Sequence, residues 1–165
     1  MIALGVILFL SALHVRAEPL TFKNGQYSVD WKVDGGEITF TVTANTAGWV
    51  GLGFGPNKGM KDADLVVGGV RDGKGYLYDL HGTGEDETPG LDQQEDYHLL
   101  EANETGGQTI LKFKRKLDTG DRDDVSLTGP TYLLWAFNSE EDARESQLSY
   151  HSGDRGYELE RRTLQ

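Results

Sequence analysis

Residues 27–44, YSVDWKVDGGEITFTVTA, decide the fold class. Tyr27, Val29, Trp31 and Val33 take every second position, and Ile38, Phe40, Val42 and Ala44 do the same after Asp34-Gly35-Gly36. Alternation of period two sends successive side chains to opposite faces of an extended strand, and a Gly-Gly pair between two such runs signals a tight hairpin. The pattern continues along the chain. Val50, Leu52 and Phe54 are separated by Gly51 and Gly53, which predicts a strand that something approaches closely. Leu65-Val66-Val67 is a short unbroken apolar run, the mark of a strand covered on both faces. Tyr76–Leu80, Tyr97–Ala102, Leu111–Leu117 and Tyr132–Phe137 complete the series, punctuated by Gly- and Asp-rich turns. About eight or nine such strands with no amphipathic helix predict an all-β fold, an immunoglobulin-like antiparallel β-sandwich. Its core is expected from about Leu20 to about Leu159, within one domain covering residues 18–165. The long acidic loop from Gly82 to Gln93 is expected to be mobile or held by a ligand.

Ahead of the strands, residues 2–13, IALGVILFLSAL, form an apolar run too short to span a bilayer. Val15-Arg16-Ala17 follows as a small-x-small site, so residues 1–17 read as a signal peptide cut between Ala17 and Glu18. A secreted, extracellular protein without a membrane span is the expectation. The chain has no cysteine, which excludes disulfide staples, thiol catalysis and cysteine-based zinc sites. Its formal charge is −11, and loss of the leader removes Arg16 and no acidic residue. Phosphate backbones would repel such a chain, so nucleic acid is not an expected partner. Extracellular proteins, glycans and mineral or cationic surfaces are. Asn103-Glu104-Thr105, just before Gly106-Gly107, is a candidate N-glycosylation sequon at Asn103.

Residues 48–70, GWVGLGFGPNKGMKDADLVVGGV, are more specific. With DQQEDYHLL at 92–100, ILKFKRKLDTGDRDD at 110–124 and YHSGDRG at 150–156, they resemble DOMON domains, in particular the N-terminal domain of dopamine β-monooxygenase-like copper monooxygenases. Four blocks in the family order cover nearly the whole chain after the leader. The resemblance implies a β-sandwich that precedes a catalytic region binding two coppers through several His and a Met. After the leader this sequence holds His81, His98 and His151 with no clustered pair, so no copper site and no enzymatic activity are expected. Where relatives often carry a cysteine that ties the domain to its catalytic neighbour, this chain has Gly120.

The resemblance also implies two candidate sites. The first is a hard cation, Ca²⁺ or another oxygen-seeking ion, between two carboxylates and two main-chain carbonyls. These correspond to Asp64 with the Leu65 carbonyl, the Leu80 carbonyl, and Asp96. The alternative is that Asp64 and Asp96 accept backbone N–H bonds and pin the acidic loop. The second is b-type haem, held in cytochrome-type relatives between a Met and a His, here Met60 and His151. The alternative is that Met60 fills a gap in the packing and His151 caps a strand. The monooxygenase-like branch shares these residues without being known as a cytochrome group, so no stoichiometric haem is expected. Asp118, Asp121, Asp123 and Asp124 lack the spacing of a calcium loop and read as a solvated turn. Trp31, Trp49 and Trp135 are expected in the core. Three functions stay open: an acidic extracellular binding or matrix module, an extracellular haem electron-transfer domain, and the regulatory domain of a truncated copper monooxygenase.

Overall fold

A computed structural model describes residues 19–84, 87–145, 148–151 and 153–165. The expected leader, residues 1–17, and its expected cleavage site between Ala17 and Glu18 lie outside the described residues. Among the described residues, eleven strands form two antiparallel sheets. The first sheet contains β1 (Leu20–Phe22), β2 (Tyr27–Asp34), β3 (Glu37–Ala44), β9 (Gln108–Lys116) and β8 (His98–Thr105), in that spatial order. The second contains β11 (Arg155–Tyr157), β10 (Tyr132–Phe137), β4 (Val50–Gly55), β5 (Asp64–Arg71), β6 (Lys74–His81) and β7 (Gly90–Leu91). The sandwich expected from the alternation is the observed fold.

The turns follow from backbone freedom. β2 and β3 pair from Tyr27↔Ala44 to Asp34↔Glu37, leaving only Gly35 and Gly36 in the loop. Gly106 and Gly107, between Thr105 and Gln108, both have positive φ, the conformation a two-residue hairpin needs to match strand twist. Three short strands carry no readable pattern. These are β1, β7 and β11, two or three residues each and added at sheet edges. Beyond Tyr157 the chain stays docked past the expected core limit. The Trp31 indole N–H donates to the Leu164 carbonyl at 3.0 Å, and Leu164 is buried.

Period two distributes the side chains between two apolar layers. Val29, Ile38, Phe40, Val42, Leu111 and Phe113 of the first sheet meet Val50, Leu52, Phe54, Val66 and Leu133 of the second. Phe40 lies at its centre, with ring centroids 5.1 Å from Phe54 and 5.6 Å from Phe113. The second layer is on the outside of the second sheet, where Trp49, Ala63, Leu65, Val67, Leu80 and Leu134 are buried together. Leu65, Val66 and Val67 are therefore covered on both faces, as their unbroken run predicts. Trp49 and Trp135 are buried, and Trp31 packs against the core half-buried.

Because Phe40 bridges both sheets, Phe40→Ala should cost about 3–5 kcal/mol. Thermal unfolding should record this as a Tm lowered by roughly 10 °C.

Candidate functional site

Two features stand out, one on each side of β5 and β6. The first is a polar cluster between the sheets. On β5 the inward positions are Asp64 and Val66, and on β6 they include Leu77 and Asp79. From β9 opposite, Leu111, Phe113 and Arg115 point inward in the same alternation. Asp64 and Arg115 are each 0% exposed and form an ion pair through Asp64 Oδ2 and Arg115 Nη1. The Tyr97 hydroxyl donates to Asp64 Oδ1 at 2.7 Å, and the Val125 N–H donates to Oδ2 at 3.1 Å. Arg115 is satisfied in turn. It donates through Nε to the Lys116 carbonyl, through Nη1 to the Tyr97 hydroxyl and through Nη2 to the Val125 carbonyl. The guanidinium carbon also sits 5.1 Å from the centre of the Tyr97 ring.

Two further carboxylates crowd this pair. Oxygens of Asp64, Asp79 and Asp124 lie within 4.8 Å of one another. Asp124 Oδ2 is 3.4 Å from Arg115 Nη2, and Asp79 Oδ2 accepts the Asp96 N–H at 2.8 Å. Asp79 Oδ1 is buried with no hydrogen-bond partner among the described residues. Three carboxylates against one guanidinium leave excess negative charge out of water. Burial accordingly pushes the Asp79 carboxyl up to about 8, reinforced by the charges of Asp64 and Asp124. Burial also raises Asp64, to about 7, against the pull of Arg115.

Of the expected cation set, Asp64 brings its carboxylate to this cluster. Asp64 is at the centre, but its charge partner is Arg115, which the sequence reading did not single out. The Asp96 carboxylate accepts instead from the Gln94 amide at 2.8 Å, and Asp96 reaches the cluster through its backbone N–H. Asp79 and Asp124 supply the additional carboxylates. Leu65 and Leu80 are register partners on β5 and β6, with their side chains on the opposite face. The expected solvated turn divides. Asp118 and Asp121 accept the N–H groups of Gly120 and Asp123, while Asp124 turns inward with a side chain 2% exposed. Strand parity could have found Arg115 and Asp79, since each continues the inward set of its strand.

The second feature is a trough of about 520 Å³ on the outer face of the second sheet. β4 gives it a floor without side chains, because Gly51 and Gly53 face outward. A Cβ on Gly53 would lie 2.5 Å from Leu65 Cδ2. The close approach predicted at these glycines is this one. Leu65, Val67, Leu80, Leu134 and Trp49 make the walls apolar, and Lys58 and Arg155 bring positive charge. Met60 and His151, 91 residues apart in sequence, both line the trough. The Met60 loop is clamped from beneath, since a Cβ on Gly82 would fall 1.6 Å from the Met60 carbonyl oxygen. His151 lies against Tyr150, centroid to centroid 4.5 Å, and its Nδ1 is 3.1 Å from Arg155 Nη1. Asn103 is exposed near the β8–β9 hairpin tip. Among the described residues no helix is long and apolar enough to cross a membrane.

The DOMON domain family matches residues 23–138. The chain belongs to the DOMON family. It is 42% identical over 133 residues to DBH-like monooxygenase protein 1 of Homo sapiens, covering 80% of this chain and 21% of that protein. The Gallus gallus protein of the same name is 38% identical over 157 residues, covering 93% of this chain and 25% of that one. The chain thus spans a quarter or less of these relatives' length. Among solved structures, the cytochrome b domain of pyranose dehydrogenase from Coprinopsis cinerea superposes with a TM-score of 0.67. It is 19% identical, with 86% of this chain and 80% of that one covered. The cytochrome domain of Myriococcum thermophilum cellobiose dehydrogenase gives 0.64 at 15% identity, covering 85% and 78%. At these identities the likeness is one of fold.

The raised Asp79 carboxyl makes a pH prediction. Between its ordinary value of 3.8 and about 8, folded Asp79 keeps a proton that the unfolded chain has released. Its contribution to stability is therefore complete below about pH 4, falls as pH rises, and is lost above about pH 8. In chelator-containing buffer, denaturant titrations should show stability declining from pH 5 to 9. Asp79→Asn, which retains an acceptor for the Asp96 N–H, should flatten that decline and gain on the order of 2 kcal/mol at pH 9.

Proposed function

We propose that this chain is an extracellular DOMON binding module whose outer trough takes a flat, largely apolar cofactor of the b-type haem class. The observation that carries the reading is the arrival of Met60 and His151, from distant parts of the chain, in one glycine-floored apolar pocket. The residues present fit such a group. The volume lies within the range of cofactor pockets, and the lining is mainly aliphatic and aromatic, with Lys58, Glu87, Thr88, Ser149, His151 and Arg155 as polar members. Lys58 and Arg155 are placed to face carboxylate substituents. A thioether and an imidazole are a ligand pair for haem iron, and such a pair favours a raised potential and electron transfer. Ligation through His151 Nε2 puts the ring proton on Nδ1, so the Nδ1 contact with Arg155 would open on binding.

This reading moves the haem alternative ahead of an acidic matrix module acting through surface contacts. Surface acidity is a generic property, whereas convergence of the two candidate ligands is specific to the trough. A second reading, that the chain serves as the accessory domain of a copper monooxygenase, draws on its 42% identity with a DBH-like monooxygenase. A transcript joining this domain to a His-rich downstream region would favour it.

The test is spectroscopic. Full-length chain secreted from haem-replete cells should purify with a Soret band corresponding to one haem per chain. Met60→Ala and His151→Ala should each shift or abolish the band while leaving the β-sheet circular dichroism intact. Wild-type protein without stoichiometric Soret absorbance would overturn the reading.

A further inference from the structure

Beside the buried cluster, three side chains from separate segments converge on a second point. His81 ends β6, Asp92 directly follows β7, and Asp123 sits in the loop between β9 and β10. One ligand atom from each lies within 4.8 Å of the others. We propose that His81, Asp92 and Asp123 form a binding site for a divalent transition-metal ion, with Zn²⁺ as its representative.

The arrangement is organised around atoms that the protein itself does not satisfy. His81 Nδ1 and Asp92 Oδ2 are both buried and have no hydrogen-bond partner among the described residues. Leaving such atoms unpaired is costly, and a shared metal ion satisfies both at once. The segments that carry the three side chains are each fixed by local contacts. Asp92 Oδ1 accepts the Gln94 N–H at 3.1 Å, and the Asp92 N–H donates to the Asp79 carbonyl at 3.0 Å. The His81 ring packs against β7, where a Cβ on Gly90 would be 3.0 Å from Nε2 and 3.7 Å from Nδ1. The Asp123 N–H is held by Asp121 Oδ1 at 2.9 Å, which orients its turn.

Charge distinguishes this group from its neighbour. The inner carboxylates have Arg115 buried among them. Among the described residues, the outer group's ion-pair partner is Arg122, 3.6 Å from Asp123 Oδ1 with a side chain 87% exposed. A solvated pair at that distance contributes little. Two carboxylates bring negative charge that a divalent cation neutralises, and an imidazole binds a metal ion through a ring nitrogen as the neutral base. The donor set also selects the ion. Ca²⁺ and Mg²⁺ favour oxygen alone, whereas an imidazole nitrogen with carboxylates suits Zn²⁺ and its transition-metal neighbours. Three protein ligands leave a coordination position for water. Bound there, the ion ties the acidic segment after β7 and the 118–124 loop to the end of β6.

The experiment titrates chelator-dialysed full-length chain with Zn²⁺ and with Co²⁺ as a spectroscopic probe. Binding should be near one equivalent. Co²⁺ should give ligand-field absorption and paramagnetically shifted His81 ring protons. Saturating Zn²⁺ should raise the Tm by several degrees, more than Ca²⁺ at the same concentration. His81→Ala and Asp123→Asn should each weaken Zn²⁺ binding by more than about tenfold. His98→Ala and Asp79→Asn should leave it unchanged. Should His81→Ala fail to fold, Asp123→Asn at its part-exposed loop position and the wild-type Co²⁺ proton shifts still decide the matter. The proposal is overturned if wild type binds no Zn²⁺ tightly, or if Zn²⁺ stabilises Asp123→Asn as much as wild type. It is overturned equally if Asp79→Asn abolishes binding, because the ion would then belong to the inner carboxylates.

Discussion

The structure depends on an ion pair placed where a sandwich least tolerates charge, between its sheets. Asp64 on β5 and Arg115 on β9 have no exposure to solvent, so neither is compensated by water. The desolvation of such a pair is tolerable only when the remaining donors and acceptors are also satisfied. Here they are: Tyr97 and Val125 complete Asp64, and three carbonyl or hydroxyl oxygens complete Arg115. The pair does not add much net stability over an apolar substitute of similar shape. It fixes register. A slip of one residue in β5 would turn Asp64 outward and set Ala63 or Leu65 against Arg115; the same slip in β9 would replace the Arg115 fork with Lys114 or Lys116 and turn Leu111 and Phe113 away from the core. Because Val125 bonds both members, the loop after β9 is bound to that register as well.

The outer face obeys a different constraint. Sandwich sheets ordinarily show solvent a polar face, yet the second sheet places Leu65, Val67, Leu80 and Leu134 there. A residual apolar surface of this kind needs a cover or a ligand. Part of the cover is supplied by the Trp49 and Ala143 segments. The rest is the trough, kept open by glycines on its floor rather than filled by side chains. An alanine at Gly53 would collide with Leu65, so the opening is a property of β4 itself.

Much of this was legible in the sequence, and what was missed has a physical cause. Alternation from Tyr27 to Ala44 and the unbroken Leu65-Val66-Val67 run fixed the sheets and their covered faces, because burial imposes period two directly. The edge strands β1, β7 and β11 were invisible, since two or three residues cannot display a period. Asp64 was recognisable from the apolar run it opens. Its partner was not, because in KFKRK three neighbouring cations make Arg115 look like one more solvated charge. Counting parity from Leu111 and Phe113 would have placed it inside. Asp96 was named on family correspondence; in the fold its backbone N–H reaches the cluster, donating to the Asp79 carboxylate. Asp123 and Asp124 read alike as turn acids, and only the folded loop sends them to different places.

The two features described here are not independent, because they are the two faces of the same strands. On β6, Asp79 and His81 point toward the carboxylate seam while Leu80 between them lines the trough. On β5, Asp64 and Leu65 divide in the same way. The next residue after His81, Gly82, donates its N–H to the Ala63 carbonyl and accepts the Asp62 N–H. It thereby holds the loop that carries Met60, against which no side chain at position 82 would fit. A rotation or slide of the β6 terminus that altered the seam would displace Leu80 and the Met60 loop together. Order on one side of these strands therefore supports order on the other, through contiguous backbone hydrogen bonds and packed side chains rather than through any longer path.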